Sequence, residues 1–230
     1  MVPPLVLDID GTLTRGQAEQ GPSPIDPRLF DRLRGWAAPV ILATGKAFPF
    51  PVALSQFIGL DTRIIAETGG IICTDHRLEV LAKTAEMDAI ADVVRERYPT
   101  AVDDNNLINR WRETELAFLR EMPLDGLESI AEAYGYTVVD TGYAYHVKDA
   151  NISKGLGLEH LASWEDIDLA ACVAIGDSPN DISLFERVGT AVAVDNATPP
   201  AKAAADYVTS AGQSAGTLGA LDQIERDGFS

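Results

Sequence analysis

Five short apolar runs constrain this chain more than anything else in it: "PLVLDIDG", "APVILATG", "TRIIAETGG", "ACVAIGDS" and "GTAVAVDN". Each has the length and β-branched content of a buried strand, and each ends at a polar or glycine-containing turn. Between them lie segments with helical patterning, "DPRLFDRLRGWA", "FPVALSQFIGL", "KGLGLEHLA" and "NDISLFERVG". Strand and helix in alternation predict an α/β fold, a doubly wound and mostly parallel sheet with helices on both faces.

The alternation breaks between residues 82 and 152. There "TAEMDAIADVVRERYP" reads as a helix, "LINRWRETELAFLRE" as strand material and "PLDGLESIAEAYGY" as a second helix, while "TVVDTGYAYHVKD" reads as a hairpin around Gly142. This predicts a small α+β domain at 82–152, inserted into a core built from 1–81 and 153–230.

Ligands of an open parallel sheet bind beyond the carboxyl ends of its strands, near the point where the winding reverses. Three of the apolar runs end there in unusual polar residues: Asp8 and Asp10, then Thr44, then Asp177, Asn180 and Asp181. Alternation along an extended chain places Asp8 and Asp10 on one side, and Gly11 lets the backbone turn away without a Cβ. A lone Asp-x-Asp fits a helix cap or turn equally well. The full Asp-x-Asp-Gly-Thr behind a buried run, with a second acidic motif far along the chain, points instead to a shared site. Carboxylates crowded in a partly dry pocket raise one another's pKa unless a cation compensates. Oxygen ligands of this kind suit Mg²⁺, which commonly shares its coordination with a substrate phosphate.

The runs "DIDGTLT", "ATG", "SKG" and "GDSPND", in this order, resemble the four motifs of the haloacid-dehalogenase superfamily of aspartate-dependent phosphatases. The insertion resembles the cap of its type-two branch, "GTAVAVDNATPPAKAAADYVT" resembles the tail of that branch, and the proportions look most like archaeal phosphoglycolate phosphatases. The resemblance implies a Rossmann-like core with a cap, and Mg²⁺-dependent hydrolysis of a small phosphorylated metabolite, 2-phosphoglycolate first and sugar phosphates second. A phosphomannomutase or a noncatalytic phosphometabolite sensor are more distant readings; the presence of both Asp8 and Asp10 speaks against the sensor. Carried onto this chain, it makes Asp8 the nucleophile and Asp10 the proton donor and acceptor. Thr44, Gly45 and Lys154 become phosphoryl-binding residues, and Asp8, Asp10, Asp177 and Asp181 the metal set. Two departures stand out: Lys46 where relatives often carry Arg, and Thr68 where many carry Asn. The cap offers Arg110, Arg112, Arg120, His146 and Lys148 as partners for a substrate carboxylate, although the ordinary place for each is a solvated strand surface.

Charge narrows the partners. With 18 Lys+Arg against 35 Asp+Glu the net charge is -17, which disfavours nonspecific binding to nucleic acid or anionic membrane. Scarce lysine and abundant aspartate also suggest a surface adapted to a salt-rich cytoplasm. No stretch approaches the roughly 18 apolar residues of a membrane span, and no basic leader opens the chain, so a cytoplasmic location is expected. Cys73 and Cys172 sit in apolar surroundings and read as small core residues. A homodimer is allowed, although no apolar stripe argues for one.

Overall fold

The computed structural model describes residues 2–15, 24–102, 109–140 and 144–226. Three of the apolar runs form the heart of the main sheet as β1 (Leu5–Leu7), β2 (Val40–Ala43) and β3 (Arg63–Ala66). The two late runs form β9 (Val173–Gly176) and β10 (Thr190–Ala193). With β4 (Ile71–Thr74), β5 (Leu78–Val80) and β11 (Tyr207–Val208), they make an eight-stranded sheet of order β11-β10-β9-β1-β2-β3-β4-β5. All neighbours from β11 to β3 are parallel, whereas β3–β4 and β4–β5 are antiparallel. The chain winds outward from β1 through β2 and β3, and later returns beside β1 as β9. The winding therefore reverses between β1 and β9.

Burial on both faces explains why these strands read as continuous apolar runs. Leu5 and Leu7 face a core shared with Leu29 and Leu33 of α1 (Pro27–Arg34), Ile58 of α2 (Pro49–Ile58) and Leu221 of α8 (Gln213–Arg226). Val6 points the other way, into a core shared with Leu158 and Leu161 of α5 (Lys154–Glu165), Leu184 of α6 (Ile182–Phe185) and Ala201 of α7 (Pro199–Ala204). Cys73 and Cys172 are buried free thiols, and burial pushes that of Cys172 up to about 11.

The segment "NDISLFERVG" yields only the four-residue α6. The Asp181 carboxylate accepts the Asp177 and Ser178 amides, which tightens Pro179–Asp181 into a 3₁₀ turn and delays the helix. The antiparallel edge of β4 and β5 was not among the expected strands. "GGIICTD" carries the apolar content of a strand, but nothing local fixes its direction.

The insertion contains α3 (Met87–Arg97), β6 (Glu115–Phe118), α4 (Leu124–Ala133), β7 (Tyr136–Asp140) and β8 (Tyr145–Asp149). Its three strands form a separate antiparallel sheet of order β6-β8-β7. The turn around Gly142 lies outside the described residues. One face of this sheet, with Phe118, Tyr145 and Val147, packs on Ile90 and Val94 of α3 and Leu127 and Ile130 of α4. The opposite face carries Glu115, Ala117, His146 and Lys148, and all four are buried. Among the described residues, no helix is long and apolar enough to cross a membrane.

Candidate active site

Asp8 leaves the end of β1 and Asp177 the end of β9, at the reversal of winding. Ligand atoms of Asp8, Asp177 and Asp181 lie within 4.8 Å of one another. Lys154, the first residue of α5, is fully buried, and its ammonium donates to Asp8 Oδ1 and Asp181 Oδ1, both at 2.6 Å. Its burial would depress the ammonium pKa, but the two carboxylates outweigh that and hold it above the usual lysine range.

Three acids and one ammonium leave the pocket short of positive charge. Burial, with repulsion from Asp181 and Asp10 and partial relief from Lys154, pushes Asp8 up to about 7. Burial, Asp8 and Asp181 push Asp177 up to about 9. Asp177 Oδ1 is buried with no hydrogen-bond partner among the described residues. An oxygen-only donor set with an orphaned carboxylate oxygen fits a hard divalent cation, which would relieve both the repulsion and the missing partner.

The acids do not play equal parts. Asp181 Oδ2 already accepts the amides of Asp177 and Ser178, each at 3.0 Å, and Oδ1 accepts Lys154, so this carboxylate chiefly shapes the loop. Asp10, expected among the metal ligands, is not in the three-acid group; its half-exposed carboxylate pairs with Lys46 at 3.0 Å. The extended geometry that would have put Asp8 and Asp10 side by side ends at Leu7, and the chain is already turning at Asp10. Gly11 makes this turn at φ +79°, and a Cβ there would lie 2.1 Å from Asp177 Oδ2.

Thr44 follows directly after β2 and is fully buried. Its Oγ1 accepts the Lys46 amide at 3.1 Å, leaving the hydroxyl proton to be donated. Gly45 follows it, and a Cβ there would meet Thr68 Oγ1 at 3.4 Å and Asn180 Nδ2 at 3.9 Å. Asn180 itself accepts the Ser178 hydroxyl at 2.6 Å.

The sequence reading missed one residue of the site and the burial of a second group. Asn196, in the loop after β10, donates to the Gly11 carbonyl at 3.0 Å and to Asp177 Oδ2 at 3.2 Å, and accepts the Gln213 amide at the start of α8. The tail resemblance was its only signal. The second group lies on the polar face of the inserted sheet. Arg112, His146 and Lys148, whose ordinary place was taken to be a solvated strand surface, are largely buried. Arg112 and His146 both pair with buried Glu115. Burial tends to raise the Glu115 pKa, but His146 and Arg112 outweigh it and hold the carboxyl below its usual range. Lys148 donates to the carbonyls of Asp149 and Ile152, and burial pushes its pKa down. Arg120 remains at the surface, paired with Asp140 at 3.0 Å, and Arg110 lies against the exposed Trp111.

Residues 123–221 match the family described as haloacid dehalogenase-like hydrolase. A protein of Natronomonas pharaonis named phosphoglycolate phosphatase is 47% identical over 228 residues, covering 97% of this chain and 98% of that one. A protein of the same name from Halobacterium salinarum is 46% identical over 223 residues, covering 96% and 97%. Among solved structures, one from Thermoplasma acidophilum superposes with a TM-score of 0.83 at 23% identity, over 98% of this chain and 99% of that one. A haloacid dehalogenase-like hydrolase from Bacteroides thetaiotaomicron gives 0.78 at 20% identity, over 98% and 99%. Likeness over nearly the whole chain, joined to acids converging on a buried lysine at the reversal of a parallel sheet, means that this enzyme belongs to the haloacid dehalogenase-like hydrolases.

Proposed function

We propose that the chain is a Mg²⁺-dependent phosphomonoester hydrolase that works through an aspartyl-phosphate on Asp8, with 2-phosphoglycolate as its substrate. The observation that carries the reading is the convergence of Asp8, Asp177 and Asp181 around one buried lysine. The substrate name rests on the phosphoglycolate phosphatases that match this chain nearly end to end.

Asp8 and Asp177 would hold the cation, with Asp181 orienting them. When bound there, Mg²⁺ supplies charge that offsets the anionic phosphoryl oxygens and the crowded carboxylates. Lys154 favours the ionised form of Asp8 and aims it, and the Thr44 hydroxyl donates to a phosphoryl oxygen. An Asp8 carboxylate oxygen attacks phosphorus as the ester oxygen departs, and Asp10 gives that oxygen a proton. Asp10 then takes a proton from the water whose oxygen attacks phosphorus, which releases phosphate and restores Asp8. The half-exposed position of Asp10 suits this second duty, since its proton exchanges readily with solvent.

The test is a phosphate-release screen of the purified protein over phosphorylated acids, sugars and nucleotides, with and without Mg²⁺. Phosphoglycolate is expected to give the highest kcat/KM, and only with the metal. Faster turnover of hexose or sucrose phosphates would replace the substrate while leaving the chemistry, and activity undiminished by chelation would overturn the metal role.

A further inference from the structure

Four backbone groups of the loop from Thr44 to Phe48 are tied to two short segments, one in the core and one in the inserted domain. The Thr44 carbonyl accepts the Thr68 amide at 3.1 Å, and the Lys46 carbonyl accepts the Glu67 amide at 3.1 Å. The Phe48 amide donates to the Glu67 carboxylate at 3.3 Å. The Gly45 carbonyl, in contrast, accepts from Arg112 of the insertion at 2.8 Å.

The peptide between Gly45 and Lys46 is therefore pinned at both ends. Its carbonyl is held by Arg112, and its N–H points into Thr44 Oγ1 at 3.1 Å. A hydroxyl that accepts an amide has its rotor narrowed, so its proton is directed away from that amide. Arg112 is itself set by Glu115, whose other oxygen accepts the Thr68 hydroxyl at 3.0 Å and which also pairs with His146 at 3.1 Å. Alongside, the Glu67 carboxylate accepts the amides of Glu113 and Thr114 at 2.9 and 2.7 Å and the Thr114 hydroxyl at 2.9 Å. Glu67 and Thr68 stand in the left-handed region at φ 49° and 56°, a conformation uncommon for Glu and unfavourable for a β-branched residue. Contacts across the seam hold that strain in place.

We infer that Arg112 is a positioning residue that couples docking of the inserted domain to assembly of the phosphoryl-binding loop. With the domain docked, the Gly45–Lys46 peptide is locked and the Thr44 hydroxyl is aimed; with it lifted, the peptide is free to rotate and Thr44 loses its orientation. Phosphate affinity then depends on a side chain that need not touch phosphate. The inference rests on the reading of Thr44 as a phosphoryl-binding residue.

The test compares the wild type with Arg112→Lys, which keeps the charge but not the planar fork, and with the charge-free pair Arg112→Met/Glu115→Gln, which leaves no unpaired buried carboxylate. Three quantities are read: inhibition by inorganic phosphate, KM against kcat, and Mg²⁺ affinity by calorimetry. Both variants are expected to weaken phosphate inhibition and raise KM by about tenfold, the scale of a lost hydrogen bond to a charged group, with Mg²⁺ affinity within about twofold of wild type. Unchanged phosphate inhibition in Arg112→Lys overturns the inference, as does a parallel loss of Mg²⁺ affinity, which marks a general structural role. Should the wild type itself release no phosphate with Mg²⁺, the proposed function fails instead, and the two failures are distinct.

Discussion

At the scale of single residues, the site is a charge problem solved by position. Asp8 and Asp181 share one buried ammonium with Asp177 close beside them, and the orphaned Asp177 Oδ1 leaves room for further positive charge. Replacing Asp8 with Asn removes the proposed nucleophile but keeps its shape and relieves repulsion. Turnover should fall by more than about three orders of magnitude while the thermal midpoint holds or rises, as phosphate release and calorimetry would show. Asn196 grips Asp177 through Oδ2, which leaves the other oxygen open to the proposed cation. Asn196→Ala should weaken Mg²⁺ binding by about 10–100-fold, read by titration calorimetry; wild-type affinity would count against that grip.

At the scale of elements, close approach decides which side chains enter the site. Helix α5 lies against α6 at Gly155, where a Cβ would meet the Ser183 carbonyl oxygen at 2.0 Å. Gly155→Ala should destabilise the fold by about 1–3 kcal/mol in urea unfolding and lower activity as well, because adjacent Lys154 is displaced with the helix. Helix α1 offers a separate test far from the chemistry. Its N-cap, Asp26, is buried, bonded to the Arg28 amide at 3.0 Å and paired with both Arg28 and Arg15, and these bonds hold its carboxyl well below the ordinary 3.8. A carboxyl whose folded pKa is depressed stabilises above its unfolded pKa, and the gain is lost as pH falls through the folded value. The gap in urea midpoint between wild type and Asp26→Asn should therefore be constant from about pH 7 to 5 and narrow below about pH 4.

Across the whole molecule, the imbalance of 35 acidic against 18 basic residues makes the folded chain repel itself at low ionic strength. Added salt screens that repulsion, with a Debye length of about 3 Å at 1 M. The thermal midpoint should climb as KCl is raised to molar levels; a flat or falling curve would remove the case for salt adaptation. At this scale, too, the inserted domain is no loose appendage. Its polar sheet face is buried, and Glu67, Thr68, Arg112 and Glu115 form a continuous seam between the two sheets.

The parallel heart of the main sheet, β1, β2, β3, β9 and β10, and the strand ends that carry the acids were legible in the sequence because burial on both faces writes strands as unbroken apolar runs, and a carboxylate at the end of such a run stands out. Lys154 could be placed only by likeness, since a lysine at a helix start is by itself an ordinary surface residue. Tertiary structure alone decided that Asp10 faces Lys46, that Asn196 meets Asp177 across 19 positions of chain, and that Arg112 and His146 are buried around Glu115. The reason is physical: an apolar side chain declares its burial by its type, whereas a polar side chain is buried only where a partner waits, and here most of the partners lie far off along the chain.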